Sequence, residues 1–254
     1  MVWRQARDLH RALSGQVLTR TDFRVPALAT VDLAGERVVE TVARGKHLLT
    51  RIGDDRTLHT HLKMEGVWQV LPSGSRWRRP AHQARVVLAT ERTEAVGFSL
   101  GVVDLLPRDR EHEAVGHLGP DLLGTDWDEA EAVRRLSAAP ERSTYAALLD
   151  QTNLAGIGNV YAVELCFLAG VRPDRPIADV KDLTRLVRRA RQLLEANRER
   201  VEMVTTGEVR RGRRTWVYRQ RACLRCGTPV EIGRLGPEGR ERTAYWCPSC
   251  QHVE

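Results

Sequence analysis

Long apolar runs are missing from this sequence. No stretch of about eighteen apolar residues is present, which argues against a bilayer-spanning helix. The first residues also lack the basic-then-apolar pattern of a secretory signal peptide. Internal repeats and low-complexity tracts are absent as well. We therefore expect a cytoplasmic protein with no membrane partner, in which cysteine thiols stay reduced.

Charge gives the first indication of a partner. The chain has 254 residues, of which 42% are hydrophobic, enough for two or three modest cores. Forty Lys and Arg residues against thirty-three Asp and Glu residues leave a formal net charge of +7. Such an excess favours an anionic partner, most often nucleic acid, although charge scattered evenly over the surface would indicate only solubility.

Four of the five cysteines form two Cys-x-x-Cys pairs near the end of the sequence, with twenty residues between the pairs. Because each pair can place two thiolates around one tetrahedral ion, this spacing is typical of a zinc site. The predicted ligands of one structural Zn²⁺ are Cys223, Cys226, Cys247 and Cys250. The alternative, disulfides or inert cysteines, is disfavoured in a reducing compartment.

The residues between the two pairs predict a small zinc-ribbon hairpin. Residues 228–232 are expected to form a strand, "LGPEGR" a loop rich in turn formers, and residues 243–246 a returning strand. Because so small a hairpin has almost no core, the metal must supply its folding free energy, on the order of 10 kcal/mol. The fifth cysteine, Cys166 in "VELCFLAG", is instead expected to be a buried apolar residue.

The first part of the chain, residues 1–110, is predicted to be a β-sandwich domain that opens with a helix. Val2, Ala6, Leu9 and Leu13 recur at helical spacing, and Gly15 follows as a helix terminator. Short β-rich runs separated by turn formers then predict an antiparallel β-sandwich. The runs are "RVVETVA", "KHLLTRI", "TLHTHLKM", "GVWQVL", "ARVVLAT" and "VGFSL".

The remainder is predicted to comprise a linker (residues 111–125), a helical domain (126–205) and a zinc finger (206–254), so the fold class is α+β. Apolar residues at steps of three and four from Val180 to Val201 predict one long helix. Four arginines fall largely outside this apolar seam, and we interpret them as a solvated face. They are Arg185, Arg188, Arg189 and Arg198.

The stretch "ALLDQTNLAGIGNVYAVELCF" predicts a helix that ends near Asp150, a glycine-containing loop, and a second helix that begins at Asn159. Asparagine is a favourable N-cap, so we expect Asn159 to cap this helix. Gly156 and Gly158 beside free helix N–H groups would let an anion, most simply a phosphate, approach the backbone closely. By itself this glycine pattern is a weak motif, because glycines before a helix usually form an ordinary turn.

Taken with its neighbours, the stretch resembles the formamidopyrimidine-DNA glycosylase and endonuclease VIII family, closest to an actinobacterial endonuclease VIII-like branch. "RGKHLL", "THLKMEGVW", "HLGPDLL", "RTWVYRQ" and the terminal cysteine pairs stand in that family's order along the whole chain. The resemblance implies a helix–two-turn–helix in the helical domain. It also implies a monomeric base-excision-repair enzyme, associated with the nucleoid through damaged double-stranded DNA, that removes oxidised bases and cleaves the abasic strand.

The resemblance also implies roles for particular residues. Asn159 and the amides around Gly158 would hold phosphates that flank the lesion, while Lys46 would contact the lesion's phosphate and assist elimination. Met64 would fill the gap left by the flipped-out nucleotide. Arg242 would grip the phosphate on the lesion side and, as a catalytic residue, take part in the second elimination. Two further DNA-contacting candidates are Lys63, where the family varies, and His82, where "HQAR" departs from the commoner pattern.

The start of the sequence departs from the family. Members begin Met-Pro-Glu, and the proline amine, freed by removal of Met, attacks the sugar C1′ while the glutamate handles protons. The branch resembled here opens Pro-Glu-Gly-Asp-Thr-Val-Trp, whereas this sequence opens Met1-Val2-Trp3-Arg4. Read as written, the chain is expected to bind abasic DNA but to excise and cleave poorly.

Three alternatives to an active glycosylase and lyase come from other functional classes. The first is a non-catalytic homologue that binds damaged DNA with the same fold. The second is a zinc-ribbon protein that bridges RNA or ribosomal partners and has no preference for lesions. The third, a small-molecule enzyme that binds a phosphate cofactor at "GIGN", is disfavoured because no strand–loop–helix context or Walker lysine accompanies that loop.

Overall fold

The structure is a computed structural model that describes residues 2–236, 239 and 241–251. The chain divides into two compact units, Met1–His117 and Leu118–Glu254. The predicted limits at residues 110, 125 and 205 stay predictions. Met1 lies outside the described residues.

The first unit opens with the predicted helix, α1 (Val2–Leu13). Ala6, Leu9 and Leu13 are buried, in agreement with the helical face that their spacing indicates. Gly15 follows with a φ of 76°, a left-handed conformation that glycine adopts readily just after a helix.

Eight strands follow α1 and form two antiparallel sheets of four strands each. The strands are β1 (Arg20–Phe23), β2 (Val38–Arg44), β3 (His47–Ile52), β4 (Arg56–His61), β5 (Val67–Pro72), β6 (Ala84–Ala89), β7 (Thr93–Phe98) and β8 (Val102–Pro107). The sheet orders are β1-β6-β7-β5 and β2-β3-β4-β8. Single 3₁₀ turns lie at Pro26–Leu28, Ala81–Gln83 and Arg108–Arg110.

Buried side chains from both sheets and from α1 form one core. Leu9 of α1, Leu58 of β4 and Val86 of β6 belong to the same cluster, which confirms the predicted antiparallel sandwich. The quoted β-rich runs do not include β1 or β8. In β1 only the last residue, Phe23, is buried, so its polar sequence shows no apolar alternation.

The segment predicted as a linker contains a short helix, α2 (Glu111–Val115). Arg51 of β3 donates hydrogen bonds of 2.9 and 2.8 Å to the Glu111 carboxylate, and the Thr57 hydroxyl of β4 donates a third. This ion pair fixes the start of α2 to the sheet face opposite the core. Five residues carry too little periodicity for a sequence pattern to show the helix.

The second unit is helical in its first part. Its helices are α3 (Glu129–Ser137), α4 (Thr144–Leu149), α5 (Asn159–Ala169) and α6 (Leu183–Asn197), with a 3₁₀ turn at Ile177–Asp179. Tyr145 of α4, Phe167 of α5 and Val187 of α6 share one buried core. None of the helices in the described part of the chain is both long and apolar enough to cross a membrane.

Helix α6 is shorter than the apolar seam predicts. Its N-cap is Asp182, whose carboxylate accepts a hydrogen bond from the Arg185 amide, so Val180 lies before the helix. At the other end the buried Asn197 side chain bonds to the backbone of Val204, and Val201 is 76% exposed. The prediction of one helix from Val180 to Val201 is therefore wrong at both ends: the Asp182 cap starts the helix after Val180, and after Asn197 the chain turns back so that Val204 bonds to the Asn197 side chain.

The last described element is an antiparallel hairpin of β9 (Glu231–Leu235) and β10 (Arg242–Trp246). The predicted first strand begins three residues too early, because Thr228 belongs to the turn that carries the first cysteine pair. Its carbonyl accepts a hydrogen bond from the Cys223 amide at 2.8 Å. In the predicted loop "LGPEGR", Pro237, Glu238 and Arg240 lie outside the described residues.

Candidate metal centre and nucleic-acid interface

The four predicted cysteine ligands meet at one end of the hairpin. Their sulfur atoms all lie within 4.8 Å of one another, with Cys226 and Cys247 at 3.4 Å and Cys223 and Cys250 at 4.0 Å. Four thiolates bound tetrahedrally at about 2.3 Å from a zinc ion would stand about 3.8 Å apart. The donor set and its spacing therefore fit a structural metal ion.

The cluster of four cysteines is connected to the C-terminal end of α5 and the residues just after it. Gln251 is buried, and its side chain accepts a hydrogen bond from the Cys247 amide (2.9 Å) and donates one to the Val171 carbonyl (2.8 Å). The Arg225 guanidinium lies 4.4 Å from the centre of the Phe167 ring in α5. Gln251 directly follows the last cysteine, but no motif in the sequence indicates this contact.

Cys166 lies in α5, apart from the four ligands, and is fully buried as predicted. Burial raises the pKa of its thiol well above the usual range.

The loop before α5 is shaped by glycine and by one glutamine. Gly156 has a φ of 110°, and a Cβ placed on it would stand 3.1 Å from the Leu194 side chain. The Gln151 side chain accepts a hydrogen bond from the Gly156 amide and donates to the Leu149 and Ile157 carbonyls. Gly158 is the N-cap and provides no side-chain cap, so the first turn of α5 keeps the anion-binding character of a helix N-terminus.

Asn159 is the first residue of α5, and the prediction that it caps the helix is wrong. Its side chain bonds to neighbouring elements instead. The Tyr145 hydroxyl donates to Asn159 Oδ1 at 2.5 Å, and Asn159 Nδ2 donates to the Thr243 carbonyl of β10 at 3.0 Å. The amide therefore connects α4, α5 and the hairpin.

Arg242 lies next to this connection. It is the exposed first residue of β10, directly before Thr243. Burial raises the pKa of Tyr145 to about 12. The positive charge of Arg242 acts in the opposite direction, because the guanidinium is close enough to the hydroxyl to interact with it electrostatically. Gly158, Asn159 and Arg242 thus come together in the second unit.

The candidates of the first unit lie at the ends of strands. Lys46 lies in the turn between β2 and β3, and Lys63 follows β4 with a left-handed φ of 53°. Met64 is 95% exposed, which excludes a core methionine. Lys46 and Lys63 both lie close enough to His61 to lower its pKa, whereas His82 is exposed on the 3₁₀ turn before β6, in the other sheet.

Beside the two lysines lies a histidine cluster that the sequence analysis missed. It consists of His47, His59, His61 and His117. His47 Nδ1 is 2.8 Å from His59 Nε2, and the His47 ring centre is 4.8 Å from that of His61. The register of β3 and β4, which pairs His47 with His61, brings them together. In the sequence this cluster is indicated by "HTH" (residues 59–61) in β4 and by His47 at the start of β3, the strand before it.

Two members of the histidine cluster, His47 and His61, are uncharged at neutral pH. Burial lowers the pKa of His47 to about 3, helped by the neighbouring imidazoles and Lys63. Burial also lowers the pKa of His61 to about 4, and Lys63 and Lys46 act in the same direction. The His61 Nδ1 atom accepts a hydrogen bond from the Lys63 amide at 2.9 Å, which requires that nitrogen to be unprotonated.

We expect the protein to lose stability as the pH falls from about 7 toward 4. Both histidines have folded pKa values below the ordinary 6.5, so the unfolded chain takes up protons first and acid favours unfolding. The free energy of unfolding, measured in urea, should drop by about 2 kcal/mol or more over this range. In His47→Gln the drop should be smaller; identical pH profiles would contradict this account.

A buried carboxylate organises the segment that leads to the four cysteines, and the sequence did not indicate this role. Glu164 of α5 is fully buried. Its carboxylate accepts hydrogen bonds from the amides of Trp216 (2.7 Å), Val217 (3.0 Å) and Tyr218 (2.9 Å), and from the Thr205 hydroxyl. This bonding holds "TWVY" against α5, only five residues before Cys223.

Comparison with known proteins matches both units to one family. The profile described as the formamidopyrimidine-DNA glycosylase N-terminal domain matches residues 2–101, and that of the formamidopyrimidine-DNA glycosylase H2TH domain matches residues 118–207.

Curated relatives match nearly the whole chain. A Streptomyces coelicolor protein named "Probable endonuclease 8 2" is 54% identical over 98% of this chain and 92% of its own length. A Mycolicibacterium smegmatis protein named "DNA-(apurinic or apyrimidinic site) lyase Nei2" is 46% identical over 98% of this chain and 96% of its own.

Among solved structures, the complex of Lactococcus lactis Fpg with DNA containing an abasic site superposes with a TM-score of 0.80. The two chains are 21% identical, and the match covers 99% of this chain and 98% of that one. At 21% identity, this match shows that the two proteins share a fold.

Proposed function

Because this chain belongs to the formamidopyrimidine-DNA glycosylase and endonuclease VIII family, we propose that it is a base-excision-repair DNA glycosylase and abasic-site lyase. Its substrate would be double-stranded DNA with an oxidised base, bound by a monomer. The names of the curated relatives support this class of activity.

The observation that carries the proposal is the group of anion-favouring features around the start of α5. The first turn of that helix is capped only by Gly158, Asn159 lies at its first position, and Arg242 stands beside them. A helix N-terminus and a guanidinium both favour phosphate oxygens, and such contacts position DNA without reading its sequence. In this proposal Gly158 and Arg242 hold backbone phosphates that flank the lesion.

The first unit supplies the features that a base-flipping enzyme requires. Lys46 and Lys63 put positive charge near His61. In this proposal, Lys46 contacts the lesion's phosphate and assists elimination. The exposed Met64 is suited to enter the stack, since an apolar wedge stabilises DNA from which a nucleotide has been flipped out. His82 would contact DNA from its exposed turn.

We further propose that the four cysteines hold one Zn²⁺ and that residues 206–254 act as a zinc finger. Zinc accepts four thiolates in tetrahedral geometry, and no ligand position remains open for catalysis in such a site. The metal would therefore be structural and would fold the hairpin that carries Arg242.

A competition assay between an abasic-site duplex and an intact duplex tests the proposal. We expect a clear preference for the abasic duplex and a steep fall of log K with log salt, because several phosphates are contacted. Asn159→Ala and Arg242→Ala should each weaken binding by about 1–3 kcal/mol.

Arg234→Ala is the matched control for Arg242→Ala. Arg234 is an exposed arginine of the neighbouring strand, paired in register with Thr243, and its side chain lies 3.7 Å from the Glu241 carboxylate. It should change affinity little. If Asn159→Ala and Arg242→Ala bound the abasic duplex as tightly as wild type, the assigned DNA face would be wrong; equal affinity for both duplexes would favour a zinc-ribbon protein with another role.

A further inference from the structure

The Tyr145 hydroxyl takes part in a buried connection that none of the proposed roles explains. Tyr145 is fully buried in α4, and its hydroxyl donates to Asn159 Oδ1 at 2.5 Å. The other end of that amide, Nδ2, donates to the Thr243 carbonyl at 3.0 Å. The chain of bonds runs from the helical core to the residue that directly follows Arg242.

The direction of these bonds is fixed by chemistry. A carbonyl oxygen only accepts, so the NH₂ group of Asn159 must face Thr243, and its oxygen must then face Tyr145. Since that oxygen also only accepts, the Tyr145 hydroxyl has to donate. The burial that raises the pKa of Tyr145 to about 12 keeps this proton in place at neutral pH.

The metal centre alone does not fix Arg242. The cysteines lie at one end of the hairpin, and Arg242 begins β10 at the other end, five residues before Cys247. At about 3.3 Å per residue of extended strand, this separation is about 16 Å. The Asn159 amide bonds to the hairpin at the far end, next to the arginine, where the metal cannot act directly.

We propose that Tyr145 is a positioning residue that aims Arg242 at a DNA phosphate through the side-chain amide of Asn159. The inference rests on the proposed function, since it assumes that Arg242 binds DNA. Tyr145 itself touches no substrate: its rigid place in the core fixes the amide, the amide fixes Thr243, and the backbone of Thr243 sets the direction of the guanidinium.

Tyr145→Phe tests this because it removes one oxygen and keeps the buried ring. We expect binding of an abasic-site duplex to weaken about five- to tenfold, the scale of one lost hydrogen bond. The slope of log K against log salt should also become shallower, toward that of Arg242→Ala, in which one lost phosphate contact reduces it by about 0.9. A variant that merely folded less well would bind less at every salt concentration and leave the slope unchanged.

A double-mutant cycle with Arg242→Ala decides whether Tyr145 acts through the arginine. In the Arg242→Ala background, Tyr145→Phe should have no further effect on affinity or slope. Thr144→Val is the matched control: Thr144 lies buried beside Tyr145 in α4, and its hydroxyl donates to the Arg175 and Pro176 carbonyls, outside the connection. Its affinity and slope should equal those of wild type.

The outcomes separate this inference from the proposed function. If the abasic duplex is preferred and Arg242→Ala weakens binding, the proposed DNA face stands. An unchanged slope in Tyr145→Phe, or an equal loss in both backgrounds, would then overturn the role of Tyr145 alone. If wild type shows no preference for the abasic duplex, the proposed function fails first.

Discussion

Replacing Cys223 with serine is expected to release the metal ion and to weaken binding of an abasic-site duplex by about 100-fold or more. Cys223 is buried and lies within 4.0 Å of Cys250, so its loss opens the tetrahedral set. The metal contributes on the order of 10 kcal/mol to the folding of such small modules, far more than the few apolar contacts of one hairpin. Without it the hairpin loses its fold, and the bond from Asn159 to the Thr243 carbonyl alone does not keep β10 in the conformation that presents Arg242.

The helical part of the second unit should remain folded in this variant, because most members of the core that buries Tyr145, Phe167 and Val187 come from the helical segment, although Cys223 and Cys247 belong to that core as well. Elemental analysis of protein purified without chelators should find one zinc in wild type and none in Cys223→Ser. Cys166→Ala is the control, since that buried cysteine lies outside the cluster and its loss should leave the zinc content unchanged. Wild-type protein without zinc would contradict the assignment of the metal.

Patterns in short stretches of sequence correctly predicted the elements whose structure depends on residues close together in the sequence. The spacing of Ala6, Leu9 and Leu13 predicts α1 because a helix buries one face, and the β-rich runs predict a sandwich because strands alternate. The cysteine spacing predicts the metal site because two short turns suffice to build it. In each case the information lies within about one element of the chain.

Features that depend on pairing between distant residues were not predictable in this way. The histidine cluster requires the register of β3 and β4, and Glu164 meets Trp216 across more than fifty residues of sequence. The bond from Asn159 to Thr243 spans eighty-four residues. Hence the sequence indicated that Asn159 is a functional residue. Its place at the start of a helix, however, led to the wrong prediction that its side chain caps α5.

A protein that carries Pro-Glu-Gly-Asp-Thr, the opening of the endonuclease VIII-like branch, directly ahead of Val2 is expected to be captured covalently on abasic-site DNA by borohydride. The secondary amine of an N-terminal proline adds to the aldehyde carbon C1′ of the abasic sugar, and loss of water gives an iminium ion. Borohydride then delivers hydride to C1′, which converts the iminium to a stable amine and links protein to DNA.

This capture is the most direct measurement of the central claim, that the chain is a glycosylase and abasic-site lyase. The matched control carries alanine in place of the added proline, and a second control uses an intact duplex. We predict efficient capture with the proline, a large loss with alanine, and none on the intact duplex. Selective binding of abasic DNA without any capture by the proline form would contradict the claim and identify a damaged-DNA-binding protein that performs no chemistry.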